Sequence, residues 1–463
     1  MFDPETAAIR FGTGLSPRIN APSGIDAMLN GLSEPTMEEQ AFPIKSYSSY
    51  RPAIWNSLLA QKKMNKAVRA GDEAGQKKAR KVYRKLGTAL FDAGNADGVA
   101  ELMRGTVTEN GFKQRLVWFW ADHFSAYQAI RPQKRLVSSY IEEAIRPNIG
   151  GSFYSLLTAA SLHPVMLKFL DQDRSFGPNS KRAKQQENLG LNENLAREIL
   201  ELHTMGVDGA YSQKDVREFA RLLTGYTYNH KHGARFLPAF AEPGPKFILN
   251  QSYAEDTSNE QAVLSFLKNL TLHPDTAHHI ARKLVVHFVS DEPKPELVSH
   301  VSAAFLGSEG NLLKTYEALL EHPMSWKSPD QKIKRPLDLI VSSMRAMGIH
   351  SPSEKWDTDP ENRLFFNGPL TLMGQTFHNP PGPDGWPEST ADWLHPQSIA
   401  ARIQWTMTVP ARLVSGRLPD PRDFAEIALG ERLTNELKFA AKAAETRREG
   451  IGIILASPEF QRR

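Results

Sequence analysis

The stretch NENLAREILELHTMG, residues 192–206, sets the reading of the whole chain. Leu195, Ile199 and Leu202 recur at the three- and four-residue spacing of a helix face that seeks a core. Asn194, Glu198 and Glu201 form a polar stripe beside that face, Arg197 precedes Glu201 by one turn, and His203 falls at the far edge of the apolar side. Charges facing water are solvated at no cost, whereas charges at the margin of a core must be paired, liganded or used. Three readings follow. Arg197, helped by Arg217 or Arg221, neutralises both glutamates in a structural ion-pair network. Alternatively, two carboxylates one turn apart push each other's pKa values apart and do acid/base work. In the third, Glu198, His203 and a histidine from another helix hold a divalent metal, as carboxylates and imidazoles do inside helix bundles. The Glu-x-x-Glu-x-His spacing differs from the usual Glu-x-x-His of such sites, which weakens the metal reading.

Working outward, the same periodicity runs through 52–69, 73–105, 111–126, 135–146, 213–225, 259–269, 274–290, 295–306, 311–321, 334–347, 396–415 and 436–456. Strict alternation is nearly absent. The expected fold is all-α: a large multi-helix bundle, one domain over 1–463, with candidate sub-lobes 1–230 and 231–463. Two stretches stand out. Residues 226–253 place aromatic and β-branched residues between Gly and Pro breaks, the pattern of a short β-hairpin or an ordered loop. Residues 374–396 form a long Gly/Pro/Trp loop, and loops of that length inside a compact chain are commonly functional. Its Gln375, Asp384, Trp386 and Trp393 are the candidate substrate-binding residues, although both tryptophans can equally pack the loop onto the bundle.

Other motifs have simpler accounts. His163, His273, His322 and His395 each precede a proline and then a helical stretch, which suits helix starts, since proline costs nothing at the first helical position. Ser212 and Asp215 have capping-box spacing. WFWADHFS, residues 118–125, puts Asp122 and His123 on an aromatic helix, so His123 is either a core histidine held by a neighbour or a second ligand or acid.

Composition narrows the classes. The 463 residues are 40% hydrophobic and 23% charged with a net charge of +4, which is ordinary for a globular chain and gives no expectation of nucleic acid. A basic run at 61–85 reads as a solvated helix face; contact with an anionic surface is the lesser alternative, because interleaved aromatics that would stack bases are missing. No cysteine is present, so disulfides, thiolate nucleophiles and Cys-type zinc sites are excluded. No signal peptide and no membrane span is read, which places the chain as written in the cytoplasm. Glycine-rich phosphate loops, nucleophile elbows and His-Glu-x-x-His motifs are absent.

LNENLAREILELHTMGVDGAYSQKDVREFARLLTGYT (191–227) closely resembles the signature of the bacterial DUF1800 family, as do WFWADHF (118–124), LHPVMLKFLD (162–171), LHPDTAHHIARKLVVHFVSD (272–291), LMGQTFHNPPGPDGWPESTADWL (372–394) and ASPEFQRR (456–463). The resemblance implies one large, mostly helical domain of unassigned biochemistry. It also implies a periplasmic alternative, because many relatives carry export signals, and a candidate partner of the DUF1501 type, which is similar to sulfatases and phosphatases. Many relatives have a His-Asp pair where this chain has Ala241-Glu242.

Two functions are therefore expected. One is an enzyme acting on a polyhydroxylated or anionic substrate, with Glu198, Glu201, His123, Arg197 and Asn194 as catalytic candidates and His203, His123 and Glu198 as candidate metal ligands. The other is a non-catalytic binding or maturation partner of a DUF1501-type protein, in which the Glu/Arg helix is purely structural.

Overall fold

The computed structural model describes residues 1–127, 136–327 and 332–463. Helices dominate. A long antiparallel hairpin is built from α1 (Tyr47–Arg69) and α2 (Glu73–Val107), joined by a tight turn at Ala70–Asp72. Ser46 and Asp72 cap their N-termini by accepting from Ser49 N and Gly75 N. The distal half of this hairpin is solvated, while the C-terminal half of α2 is buried from Leu90 onward at Gly94, Gly98, Glu101 and Arg104. Next comes α3 (Gly111–His123), the aromatic helix, whose face is almost wholly interior.

The opening stretch forms α4 (Asn194–Glu198), which runs on as a π-helical segment, Ile199–Thr204. The widened turn rotates the side chains that follow, so His203 sits fully inside rather than at an edge. α5 (Gln213–Leu223) begins at the expected Ser212/Asp215 capping box. The 226–253 segment folds as two hairpins, β1 (Tyr226–Asn229) with β2 (Gly233–Phe236), and β3 (Lys246–Ile248) with β4 (Gln251–Tyr253). α6 (Pro274–Phe288), α7 (Pro336–Ala346), α8 (Pro396–Thr408) and α9 (Arg447–Ala456) complete the frame. His163, His273 and His322 accept from the backbone two residues on, as helix-start residues. His395 occupies the same place without that bond.

Apolar side chains collect in two clusters. The first joins residues between Ala7 and Leu320 around Phe11, Phe112, Trp120 and Phe288. The second joins α7, α8 and α9 to Val99, Leu102 and Met103 of α2. Between them lies a seam of buried charge. Arg335 pairs with Asp122 at 2.7 Å and with Glu388 at 2.7 Å, and Arg115 pairs with Asp338 at 2.9 Å. Lys332 reaches Asp291 at 2.7 Å, and His287 reaches Glu388 at 2.7 Å.

Candidate functional site

The Gly/Pro/Trp loop is the element that organises the site. It is fastened at intervals by hydrogen bonds. Gln375 is buried and accepts from Leu337 N at 2.8 Å, at the start of α7. Trp386 N donates to Asp122 Oδ1 at 2.8 Å, and Thr390 N donates to Asp291 Oδ2 at 2.8 Å. Trp393 is buried, donates to Pro387 O at 3.1 Å and lies 6.0 Å from the half-buried Trp386 ring. Of the four substrate-binding candidates, Gln375 and Trp393 therefore hold the loop together. Trp386 lines an inner pocket, and Asp384 is exposed.

Asp384 reaches the opening helix. Burial pushes the half-buried Glu198 carboxyl up, and the charges of Glu201 and Asp384 push it further, to about 7, against the pull of Arg197. Glu201 is paired with Arg197 at 3.2 Å, and Arg197 also holds Glu193 at 3.3 Å. Asn194 is exposed at the start of the helix. Glu198 and Glu201, alike in sequence, thus differ in state: one is ion-paired, the other is a carboxyl whose proton is held near neutrality.

Behind them, His123, His203 and His279 cluster, with ring centroids 5.9 Å apart for His123–His203 and 6.2 Å for His123–His279. Burial drives all three far below the usual histidine range, and the nearby Lys283 charge adds to this, so they are neutral. His123 Nε2 meets His203 O at 3.1 Å, and His279 Nε2 meets Leu202 O at 3.1 Å. Among the described residues, no group of three or more His, Asp or Glu side chains converges in a geometry that could hold a metal ion. Glu242, in the Ala241-Glu242 pair, is buried and accepts from Asn179 N at 2.8 Å and Asn179 Nδ2 at 2.7 Å, a purely local anchor.

A cavity opens on the other side of the loop. It has a volume of about 650 Å³ and lies between α2 and the segment 362–379. Phe91, Phe366 and Phe377 give it aromatic walls, and Asn95, Asn367 and Asn379 give it amides. Sites that take small molecules combine apolar walls with a few placed polar groups in this way. An inner pocket of 70 Å³ shares Leu370, Phe377 and His378 with the cavity and carries Glu101, Asp122 and Arg335.

His378 stands at the junction. Its backbone is in the left-handed region, φ 50°, which a non-glycine residue enters at a cost of about 1 kcal/mol or more. Its Nε2 meets Glu101 Oε2 at 2.8 Å, and Ser138 Oγ donates to the same oxygen at 3.0 Å. Burial pushes Glu101 up, but the His378 charge and the bonds from His378 and Ser138 outweigh it and hold the carboxyl below its ordinary value. The aromatic wall is close-fitted here: a Cβ on Gly98 would lie 3.1 Å from the Phe377 ring, so glycine lets the loop settle on α2. Neither member of the Glu101–His378 pair stands out in the linear text. The faint signal is an acid inside the apolar run VAELM, Val99–Met103, on the same helix face as a stripe of glycines.

Comparison with curated proteins and with solved structures gives no match. A family model described as a protein of unknown function, DUF1800, matches residues 8–462. That is nearly the full chain, and the chain belongs to the DUF1800 family.

Proposed function

We propose that the protein is an acid/base enzyme that binds a polyhydroxylated substrate in the 650 Å³ cavity, with His378 as the proton-transferring group and Glu101 as the residue that positions it. One observation carries this reading: a Glu101–His378 pair, 2.8 Å apart and held by a strained backbone, at the wall shared by the cavity and the inner pocket. A buried carboxylate fixes the orientation of an imidazole and stabilises its protonated form. Aromatic faces beside side-chain amides suit a ring that is apolar on its faces and hydroxylated at its edge.

Ser138 is not a nucleophile in this arrangement. It is buried, it donates to the carboxylate, and it meets the same ring nitrogen as Glu101, at 3.2 Å. A Ser–His–acid relay needs serine and acid on opposite nitrogens. The chemistry supported is therefore general-base removal of a proton from a hydroxyl, from water or from an activated C–H, without a covalent intermediate on serine. Glu198, with its carboxyl near neutrality beside Asp384, is a second proton-exchanging group on the same loop's far side.

The alternative, a docking partner for a DUF1501-type protein, would use the 374–396 loop as an exposed aromatic patch; Trp393 is buried and Trp386 half-buried, which leaves that loop little aromatic surface to dock with. The test is turnover by the full chain of a panel of defined oligosaccharides, followed by His378→Gln and Glu101→Gln. Turnover should fall by roughly 100-fold or more with ligand affinity retained, the usual size of a lost general acid or base. Unchanged turnover in both variants, or no turnover by the wild-type chain on any member of the panel, overturns the proposal.

A further inference from the structure

The basic run 61–85 holds ten Lys and Arg residues against Asp72 and Glu73, in a chain whose net charge is only +4. The rest of the molecule is therefore net negative, and the run on the distal part of the α1/α2 hairpin carries the excess of positive charge. The distribution over faces is uneven in a way that the sequence alone does not weigh. The cavity uses one stripe of α2, including Gly87, Thr88, Phe91 and Asn95. Continued toward the helix start at spacings of three and four residues, that stripe meets Arg84, Lys81, Arg80 and Lys77. Arg84 itself lines the cavity. All four are exposed, and among the described residues none of them takes part in an ion pair or a hydrogen bond to another side chain. The opposite stripe of α2, with Lys78, Val82 and Leu86, faces α1 across a separate groove.

We infer that Lys77, Arg80, Lys81 and Arg84 form a cationic rail that leads into the cavity, and that the substrate is an anionic glycan: a polyhydroxylated chain carrying carboxylate, sulfate or phosphate groups. This rests on the cavity being the substrate site. The lining fits it. Among the described residues the cavity wall presents amides, hydroxyls and aromatic rings with Arg84 as its one fixed charge, and carboxylates are missing from it. A glycan is favoured over a nucleic acid because a strand-binding groove interleaves stacking aromatics with its cations, and this rail offers Tyr83 alone. Rail charges raise the association rate and add salt-sensitive affinity, since each neutralised anion releases a counterion.

The experiment is equilibrium binding by the full chain of size-matched hexasaccharides, uronate-bearing, sulfated and neutral, with an oligothymidylate of six residues alongside. Four proteins are compared: wild type, the quadruple variant Lys77→Gln/Arg80→Gln/Lys81→Gln/Arg84→Gln, and the plug Thr88→Trp alone and combined with it. The expected result is preference of the wild type for a charged hexasaccharide, weakening as salt rises. A loss of about tenfold or more should occur in the quadruple variant, with near-complete loss in the plug. Equal affinity of wild type and quadruple variant, or a salt-independent preference for the neutral sugar, overturns the rail while leaving the cavity reading intact. Charged-sugar binding that survives the plug overturns the link between rail and cavity. Tighter binding of the oligothymidylate than of every sugar overturns the glycan in favour of nucleic acid. Absence of any sugar binding overturns both this inference and the function on which it rests.

Discussion

Glu198 is a single residue on which the structural and the functional readings of the opening helix give opposite predictions. Its folded-state pKa is raised from 4.5 to about 7 by burial, Glu201 and Asp384. For an acid raised in this way, the folded protein keeps the proton that the unfolded chain gives up. Stability is therefore fully present below about 4.5 and is lost as pH climbs through about 7. Glu198→Gln, which mimics the neutral form, should match wild type in thermal midpoint near about pH 4.5 and exceed it near about pH 8. Were the Arg197 network the reason for this side chain, the variant would instead be the less stable protein at the higher pH. Much at this scale was legible in the sequence: the stripe of Asn194, Glu198 and Glu201 and the pairing of Arg197 with Glu201 follow from helical spacing alone. Glu101 and His378 were not, because they lie 277 positions apart and no local period relates them. Nor could spacing show that His203 is interior, since a π-helical turn rotates it there.

At the scale of elements, the long helices follow from apolar periodicity with caps to mark their ends. The 436–456 stretch departs from that: it is two helices, Asn435–Ala443 and Arg447–Ala456, broken where Thr446 caps the second by accepting from Glu449 N. The signal was there, a Thr with Glu three residues on, hidden inside an otherwise continuous pattern. The 374–396 loop is harder still, because its shape comes from distant anchors rather than from its own text. Gly385 shows how tightly it is held. Its φ is 84°, and a Cβ there would lie 2.6 Å from the backbone oxygen of Asp122. Gly385→Ala therefore meets both left-handed strain and a clash with backbone that cannot rotate away. It should cost about 1–3 kcal/mol and loosen the whole span from His378 to Trp386. Gly244→Ala is the control: φ is 80°, but nothing lies within 4 Å of the added carbon, so strain alone applies. Chemical denaturation of both variants, read with turnover, checks this. Equal destabilisation would mean that Asp122 does not pin the loop.

Across the whole molecule, the site sits where two apolar clusters meet, and what joins them is charge. Asp122 and His287 come from helices of the first cluster and Asp291 from the bend just after Pro274–Phe288, while Lys332, Arg335 and Glu388 come from the second side of the seam. Burial pushes Glu388 up, but Arg335, His287 and Lys332 together hold it well below the carboxylate range. Arg335 is the hub, since it pairs with Asp122 and Glu388 and also donates to Trp386 O at 3.3 Å. Ion pairs of this kind contribute little over a well-packed apolar substitute, but removing one partner strands the others in a poorly solvated place. Arg335→Met should therefore destabilise the chain by about 3–5 kcal/mol. The deficit should shrink as pH falls, because the abandoned Asp122 and Glu388 then take up protons in the folded state and cease to repel each other. Native-state hydrogen exchange gives the sharper reading. In the wild-type chain, amides of Gly111–His123 and of Pro396–Thr408 should open with one common free energy. In Arg335→Met, the second helix should open first, because the seam that ties its cluster to the first has lost its central cation. If the two helices still exchange together in the variant, the clusters are coupled by their apolar contacts alone, and the seam then serves the site rather than the fold.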